Sequence, residues 1–317
     1  MKKVFKILGC ILAVALTVMG ALCLNTYFES SKPVISMDYY KDFRSSEQLE
    51  LKYSGIGPYE TSSDVFDIDD KNTDRIRVWF PAELKSKKEK YPMIIVVNAS
   101  NVPAYKYEPF FDKLASWGFI AVGNDDGQAG TGESAALTLD YVLNVDEKNI
   151  LYYKVDEENI GIAGYSQGGA GAIRAVTESD NSHIYKALFT GSAAYPYLAE
   201  NMGWKYDPSR ITIPYFMTAG TGQSDDSGKD PKTEFGGVCP LSALEEIYQS
   251  MPDDIEKVSA RAVFAEHEDM LVRSDPYMTF WFMYQLQNDH EAGKVFIGDN
   301  AEIVHNDNWQ DVRVKEN

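Results

Sequence analysis

The chain has 317 residues, 44% of them hydrophobic, with 20 Tyr, 15 Phe and 5 Trp, enough apolar material to bury a large core in one domain. Its formal net charge of −18 speaks against nucleic acid as a partner, because a phosphate backbone would be repelled. No CxxC, HExxH or comparable metal-binding spacing occurs, so no metal site is expected.

In chain order, the basic start Met1-Lys2-Lys3-Val4-Phe5-Lys6 is followed by 18 residues without a charge, Ile7 to Leu24. Residues 1–26 therefore read as a membrane anchor or a signal peptide. Bulky Leu22-Cys23-Leu24 leaves no small-x-small cleavage site, which favours an uncleaved anchor with Lys2, Lys3 and Lys6 held inside. Either way the remainder is exported, anchored at the outer face of the membrane or secreted. Residues 27–48 read as a tether and 49–317 as the functional domain, a monomer. Of the three cysteines only Cys239 lies in that domain, so no intrachain disulfide can staple it.

Leu51-Lys52-Tyr53, Asp64 to Ile68 and Arg75 to Phe80 favour β structure, and Lys85 to Lys90 is a polar turn. The apolar run Met93-Ile94-Ile95-Val96-Val97 suits a parallel strand buried on both faces. From there helix and strand alternate. Pro109 to Trp117 is a helix closed by Gly118, Phe119 to Val122 a strand, and Glu133 to Val145 an amphipathic helix. Strands follow at Asn159–Ala163, Ala187–Phe189 and Ile211–Thr218. Then come a helix over Leu241–Gln249, a last strand over Ala260–Phe264, and a helix over Tyr277–Leu286 opened by Ser274-Asp275-Pro276. Such alternation gives an α/β fold with a mainly parallel central sheet and helices on both faces.

Gly164-Tyr165-Ser166-Gln167-Gly168 sits at a strand-to-helix junction. Its glycines permit a turn sharp enough to lift the Ser166 hydroxyl clear of the sheet, with a helix N-terminus aimed at whatever that hydroxyl attacks. A serine nucleophile needs a general base, and the base needs an acid to orient it. Four histidines exist, and only His267 comes just after a late strand. Its neighbours Glu266, Glu268 and Asp269 would raise its basicity, with Asp269 facing solvent. The acid belongs in the loop after Thr218, where Asp225 is preferred to Asp226 and Asp230 is more distant. The oxyanion amides are expected from Gln167 and, in the loop Asn98-Ala99-Ser100-Asn101, from Ser100. Gly127-Gln128-Ala129-Gly130-Thr131-Gly132 lacks a P-loop lysine and reads as a flexible loop beside the site.

The segment Lys154 to Gly169, with its elbow, is similar to that of α/β-hydrolases in the bacterial polyester-hydrolase, cutinase-like, dienelactone-hydrolase and platelet-activating-factor acetylhydrolase neighbourhood. Leu114-Ala115-Ser116-Trp117-Gly118-Phe119 matches their LAS-x-GF turn, and Arg75 to Pro81 their early VWYP-like strand. The resemblance covers roughly residues 51–298. It implies an α/β-hydrolase fold and a cofactor-free Ser-His-Asp carboxylic ester hydrolase acting on a small or polymeric ester. Ala99-Ser100 stands where polyester hydrolases carry Gly and an aromatic residue, which counts against aromatic polyester as the substrate. The short span from Ala187 to Ile211 leaves little or no lid, and Tyr195, Tyr197 and Trp204 within it are either substrate-groove residues or packing aromatics. A serine peptidase, a thioesterase, or a non-catalytic membrane-tethered binding protein on the same scaffold are the rival readings.

Overall fold

The computed structural model describes residues 32–298 and 300–316. The segment read as an anchor or signal peptide lies outside them. Among the described residues no helix is long and apolar enough to cross a membrane.

The run Met93–Val97 has no polar position to turn to water. It forms β3 (Tyr91–Val97) inside a nine-stranded sheet of order β1-β2-β4-β3-β5-β6-β7-β8-β9. Side chains alternate across a strand, so Met93, Ile95 and Val97 enter one core cluster while Ile94 and Val96 enter the other. Around β3 run β4 (Ile120–Asn124), β5 (Val155–Tyr165), β6 (Tyr185–Gly191), β7 (Tyr215–Gly220) and β8 (Lys257–Ala262), all parallel. The antiparallel strands are β1 (Thr61–Asp67) and β2 (Arg75–Pro81) at one side and β9 (Trp309–Lys315) at the other.

Helices cover both faces. The first helix, α1 (Gln48–Ser54), is followed by α2 (Glu108–Ser116), α3 (Glu133–Leu143) and α4 (Gln167–Glu178). Next come α5 (Pro196–Asn201), α6 (Leu241–Ser250), α7 (Met270–Arg273) and α8 (Asp275–Gln287). Apolar residues of α3, α4 and α6 pack on one face of the sheet, and those of α2 and α8 on the other. This is a mixed α/β architecture consistent with an α/β-hydrolase-like fold.

Three elements differ from the sequence reading. Leu51-Lys52-Tyr53 is helical, not strand, because Leu49 and Tyr53 share one face at i, i+4 and pack on the α8 side of the core. There Tyr53 stacks on Trp117 with ring centroids 4.6 Å apart. The strand expected from Ile211 begins only at Tyr215, since Pro214 has no N–H to give the ladder. The strand over Ala260–Phe264 runs from Lys257 to Ala262 and is not the last. β9 pairs along it and covers what would be an open edge.

The span read as a tether is packed against the domain from Val34 onward. The Val34 amide donates to the Lys106 carbonyl at 2.8 Å, Tyr39–Asp42 forms a 3₁₀ turn, and the Tyr39 hydroxyl donates to Asp275 at 2.9 Å.

Candidate active site

Parallel strands deliver their following loops to one end of the sheet, and four such loops meet there. The sharpest is at Ser166, between the end of β5 and the start of α4, where the backbone takes φ 56° and ψ −123°. Positive φ costs a non-glycine residue energy that the surroundings must hold in place. The Ser166 carbonyl accepts the Gly169 and Ala194 amides at 3.0 and 3.1 Å, and its own amide donates to Gly191 at 3.0 Å. Two glycines make the turn possible. A Cβ on Gly164 would lie 2.1 Å from the Gly168 carbonyl oxygen, and one on Gly168 would lie 2.2 Å from that of Val97.

His267 approaches from the loop after β8. Its Nε2 lies 3.0 Å from Ser166 Oγ and its Nδ1 lies 2.7 Å from Asp225 Oδ1. Asp225 is fully buried in the loop after β7, and its other oxygen accepts from the Gly220 amide at 2.6 Å and from the Ser192 hydroxyl. The structure thus brings Ser166, His267 and Asp225 into one hydrogen-bonded row. Asp226 points away, into an ion pair with Arg261 at 2.7 Å, and Arg261 also holds Asp311 of β9 at 2.8 Å. Asp230 spends its carboxylate on the Lys232 amide in an exposed turn.

The two loops carrying Asp225 and His267 are laced together. Glu266 accepts from the Gln223 and Ser224 amides and the Ser224 hydroxyl, while Ser224 Oγ accepts the His267 amide at 2.8 Å. Those Ser224 bonds hold the Glu266 carboxyl below its ordinary range. Asp269, expected to face solvent, is exposed but accepts the Glu266 amide at 2.9 Å.

Gln167 does more than sequence indicated. With its side-chain nitrogen toward Ser100 Oγ at 2.7 Å, its oxygen accepts from the Ala129 and Gly130 amides at 2.7 and 3.0 Å. That carboxamide ties the loop after β3 to the elbow. The Gly127–Gly132 segment, read from sequence as a flexible loop beside the site, is held to this carboxamide through its Ala129 and Gly130 amides. It holds a 3₁₀ turn at Ala129–Thr131, with Gly130 packed under the Trp204 ring and Gly171 against the Ala129 carbonyl. As the first amide of a helix, that of Gln167 has no intrahelical acceptor. Among the described residues no group takes it or the Ser100 amide.

A cavity of about 520 Å³ opens over Ser166 and His267. Its walls are mainly apolar, with Val34, Ile35, Val102, Tyr107 and Leu271, and Ser100 and the charged Glu268 also line it. Burial pushes the Tyr107 and Tyr165 hydroxyls well above the ordinary tyrosine range, against a hydrogen bond from the Ala99 backbone on Tyr107. Tyr195, Tyr197 and Trp204 are not among the residues lining this cavity. Tyr195 is buried with its hydroxyl on the Pro231 carbonyl at 2.8 Å, Tyr197 is exposed, and Trp204 covers Gly130. Sequence gave no reason to place Val34 or Ile35 here, 131 or more positions before Ser166, whereas Ser192 shares the one available signal, a position just past a parallel strand.

Among the described residues no group of three or more His, Cys, Asp or Glu side chains is placed to hold a metal ion. No family model matches the chain, and among curated proteins none is significantly similar to it.

Proposed function

We propose that this protein is a serine hydrolase that cleaves carboxylic esters, of the α/β-hydrolase kind its elbow resembles. The observation that carries the reading is the row Ser166 Oγ, His267 Nε2, His267 Nδ1 and Asp225 Oδ1, with spacings of 3.0 and 2.7 Å. With Nδ1–H donated to Asp225, the bare Nε2 accepts the Ser166 proton as Oγ attacks the ester carbonyl carbon. Negative charge gathers on the carbonyl oxygen, where the amides of Gln167 and Ser100 receive it. Donors of this kind contribute about 10²–10³ each to kcat. Collapse of the tetrahedral adduct breaks the C–O bond, and His267 returns its proton to the departing alcohol. Water, deprotonated by the same nitrogen, then releases the acid and restores Ser166 Oγ–H.

An apolar cavity of this volume suits a small ligand, and its scarcity of polar anchors favours an ester over a peptide, whose amides would lose hydrogen bonds there. The same geometry serves a thioester. The N-terminal apolar segment supports export, with the hydrolase held at the outer face of the membrane. Reaction with a fluorophosphonate probe tests the class: Ser166 is expected to be labelled in the wild type and the Ser166→Ala variant not at all. An unlabelled wild type would favour the binding-protein reading.

A further inference from the structure

We propose that the segment Val34–Tyr39 is a fixed wall of the substrate cavity, that Ile35 and Val34 set the size of the apolar group the ester may carry, and that Tyr39 is the residue that positions them. The proposal rests on the hydrolase reading above and adds a specificity determinant to it. Val34 and Ile35 line the same cavity as Ser166 and His267. Ile35 is half-buried and packs on the α2 and α8 side of the core, whereas Val34 is 53% exposed and stands at the mouth. Neither belongs to an element that the sheet requires.

Two pins fix the register of this short stretch. At its start, the Val34 amide donates to the Lys106 carbonyl at 2.8 Å, in the 3₁₀ turn Ala104–Tyr107 whose last residue is itself a cavity wall. At its end, the Tyr39 hydroxyl donates at 2.9 Å to Asp275 Oδ2, the oxygen that also faces Lys113 Nζ at 2.9 Å. Tyr39, Lys113 and Asp275 are 7%, 0% and 1% exposed. An ion pair buried this deeply is costly to desolvate and tolerates few geometries, so a donor that joins Lys113 on the same carboxylate oxygen is held at one position, while Asp275 Oδ1 has no partner among the described residues. With both ends fixed and four residues between, Ile35 has one place to go. An apolar segment lying on the core without those pins would be free to slide. The arrangement makes residues 34–39, which precede every strand of the sheet, a component of the site.

The test uses the full-length protein and compares kcat/KM for p-nitrophenyl acetate, butyrate and octanoate. Ile35→Trp is expected to lower the octanoate-to-acetate ratio at least tenfold, through KM more than kcat, and Ile35→Ala to raise it. Tyr39→Phe removes one hydroxyl without touching the cavity, and it is expected to move the ratio in the direction of Ile35→Ala. Melting curves confirm that each variant is folded. A ratio within twofold of wild type in both Ile35 variants, with all esters affected alike, would overturn the proposal. A wild type that neither hydrolyses these esters nor reacts with a fluorophosphonate would overturn the hydrolase reading and this one together, an outcome recognisable before any variant is made.

Discussion

Two adjacent aspartates at the end of one strand do different work, and their partners show why. Asp225 is dry, takes donors from Gly220, Ser192 and His267, and faces the site, whereas Asp226 neutralises the nearly buried Arg261. Replacing Asp225 by Asn would reverse the donor pattern at His267 Nδ1 and favour the wrong imidazole tautomer. The expected loss in kcat is about 10³–10⁴-fold with ester affinity little changed. Asp226→Asn is expected instead to lower the melting temperature, by leaving Arg261 underpaired, with kcat within a few-fold of wild type. Steady-state kinetics and melting curves on the pair separate the roles, and equal kcat losses would contradict the assignment. Gln167 is a second case. Gln167→Ala keeps its backbone amide but frees Ser100 and the Ala129 and Gly130 amides, and kcat is expected to fall about tenfold, consistent with losing part of the alignment of one oxyanion donor. Asp225 stood out by its place in chain order, but nothing in a sequence tells which of two neighbouring carboxylates turns inward. That depends on Arg261 and on a strand, β9, whose alternation of Val312 and Val314 with charged residues is too weak to separate from a polar tail.

Secondary elements set the precision of the site. The N-terminus of α4 meets the C-terminal end of β3 at Gly168, where a methyl group would fall 2.2 Å from the Val97 oxygen and 2.5 Å from that of Asn98. Both are backbone atoms and neither can rotate away. Gly168→Ala is therefore expected to push helix and strand apart, lowering the melting temperature and cutting kcat more than tenfold, because a shift of about 1 Å is enough to cost 10²-fold. A variant with unaltered kcat would show that the approach has slack. The central strands and the helices after them were legible because burial on two faces leaves an unbroken apolar run and burial on one leaves helical spacing. Tyr53 misled because three residues cannot tell a strand from a helix, and the distant Trp117 and Phe280 decide. For the aromatics Tyr195, Tyr197 and Trp204 sequence left groove and packing roles open, because proximity in sequence to the site says nothing of direction; Tyr195 turns to the Pro231 carbonyl and Trp204 to Gly130.

At the scale of the molecule, the net charge of −18 leaves some carboxylates in poor surroundings. Burial raises the carboxyls of Glu256 and Glu302, and Glu302 also feels Glu47 and Glu50. A carboxyl whose pKa is higher folded than unfolded contributes stability that is present below the ordinary value of 4.5 and is lost as pH rises through the folded one. Glu302→Gln, which stays neutral, is expected to melt higher than wild type at pH 7.5 and to lose that advantage on acidification toward pH 4.5. An advantage that grew on acidification would have the wrong sign. The same scale explains what sequence hid about the cavity. Several of its lining residues follow strand ends, but Val34 and Ile35 line it too, and only the folded chain brings them beside Ser166. The hydrolase reading stands on Ser166 as a nucleophile activated by His267. Its most direct test is hydrolysis of p-nitrophenyl butyrate by wild type and Ser166→Ala, with the acyl adduct trapped and located by mass spectrometry. A butyryl group on Ser166 and turnover abolished in the variant are expected. Undiminished turnover in Ser166→Ala, or an adduct on another residue, would contradict it.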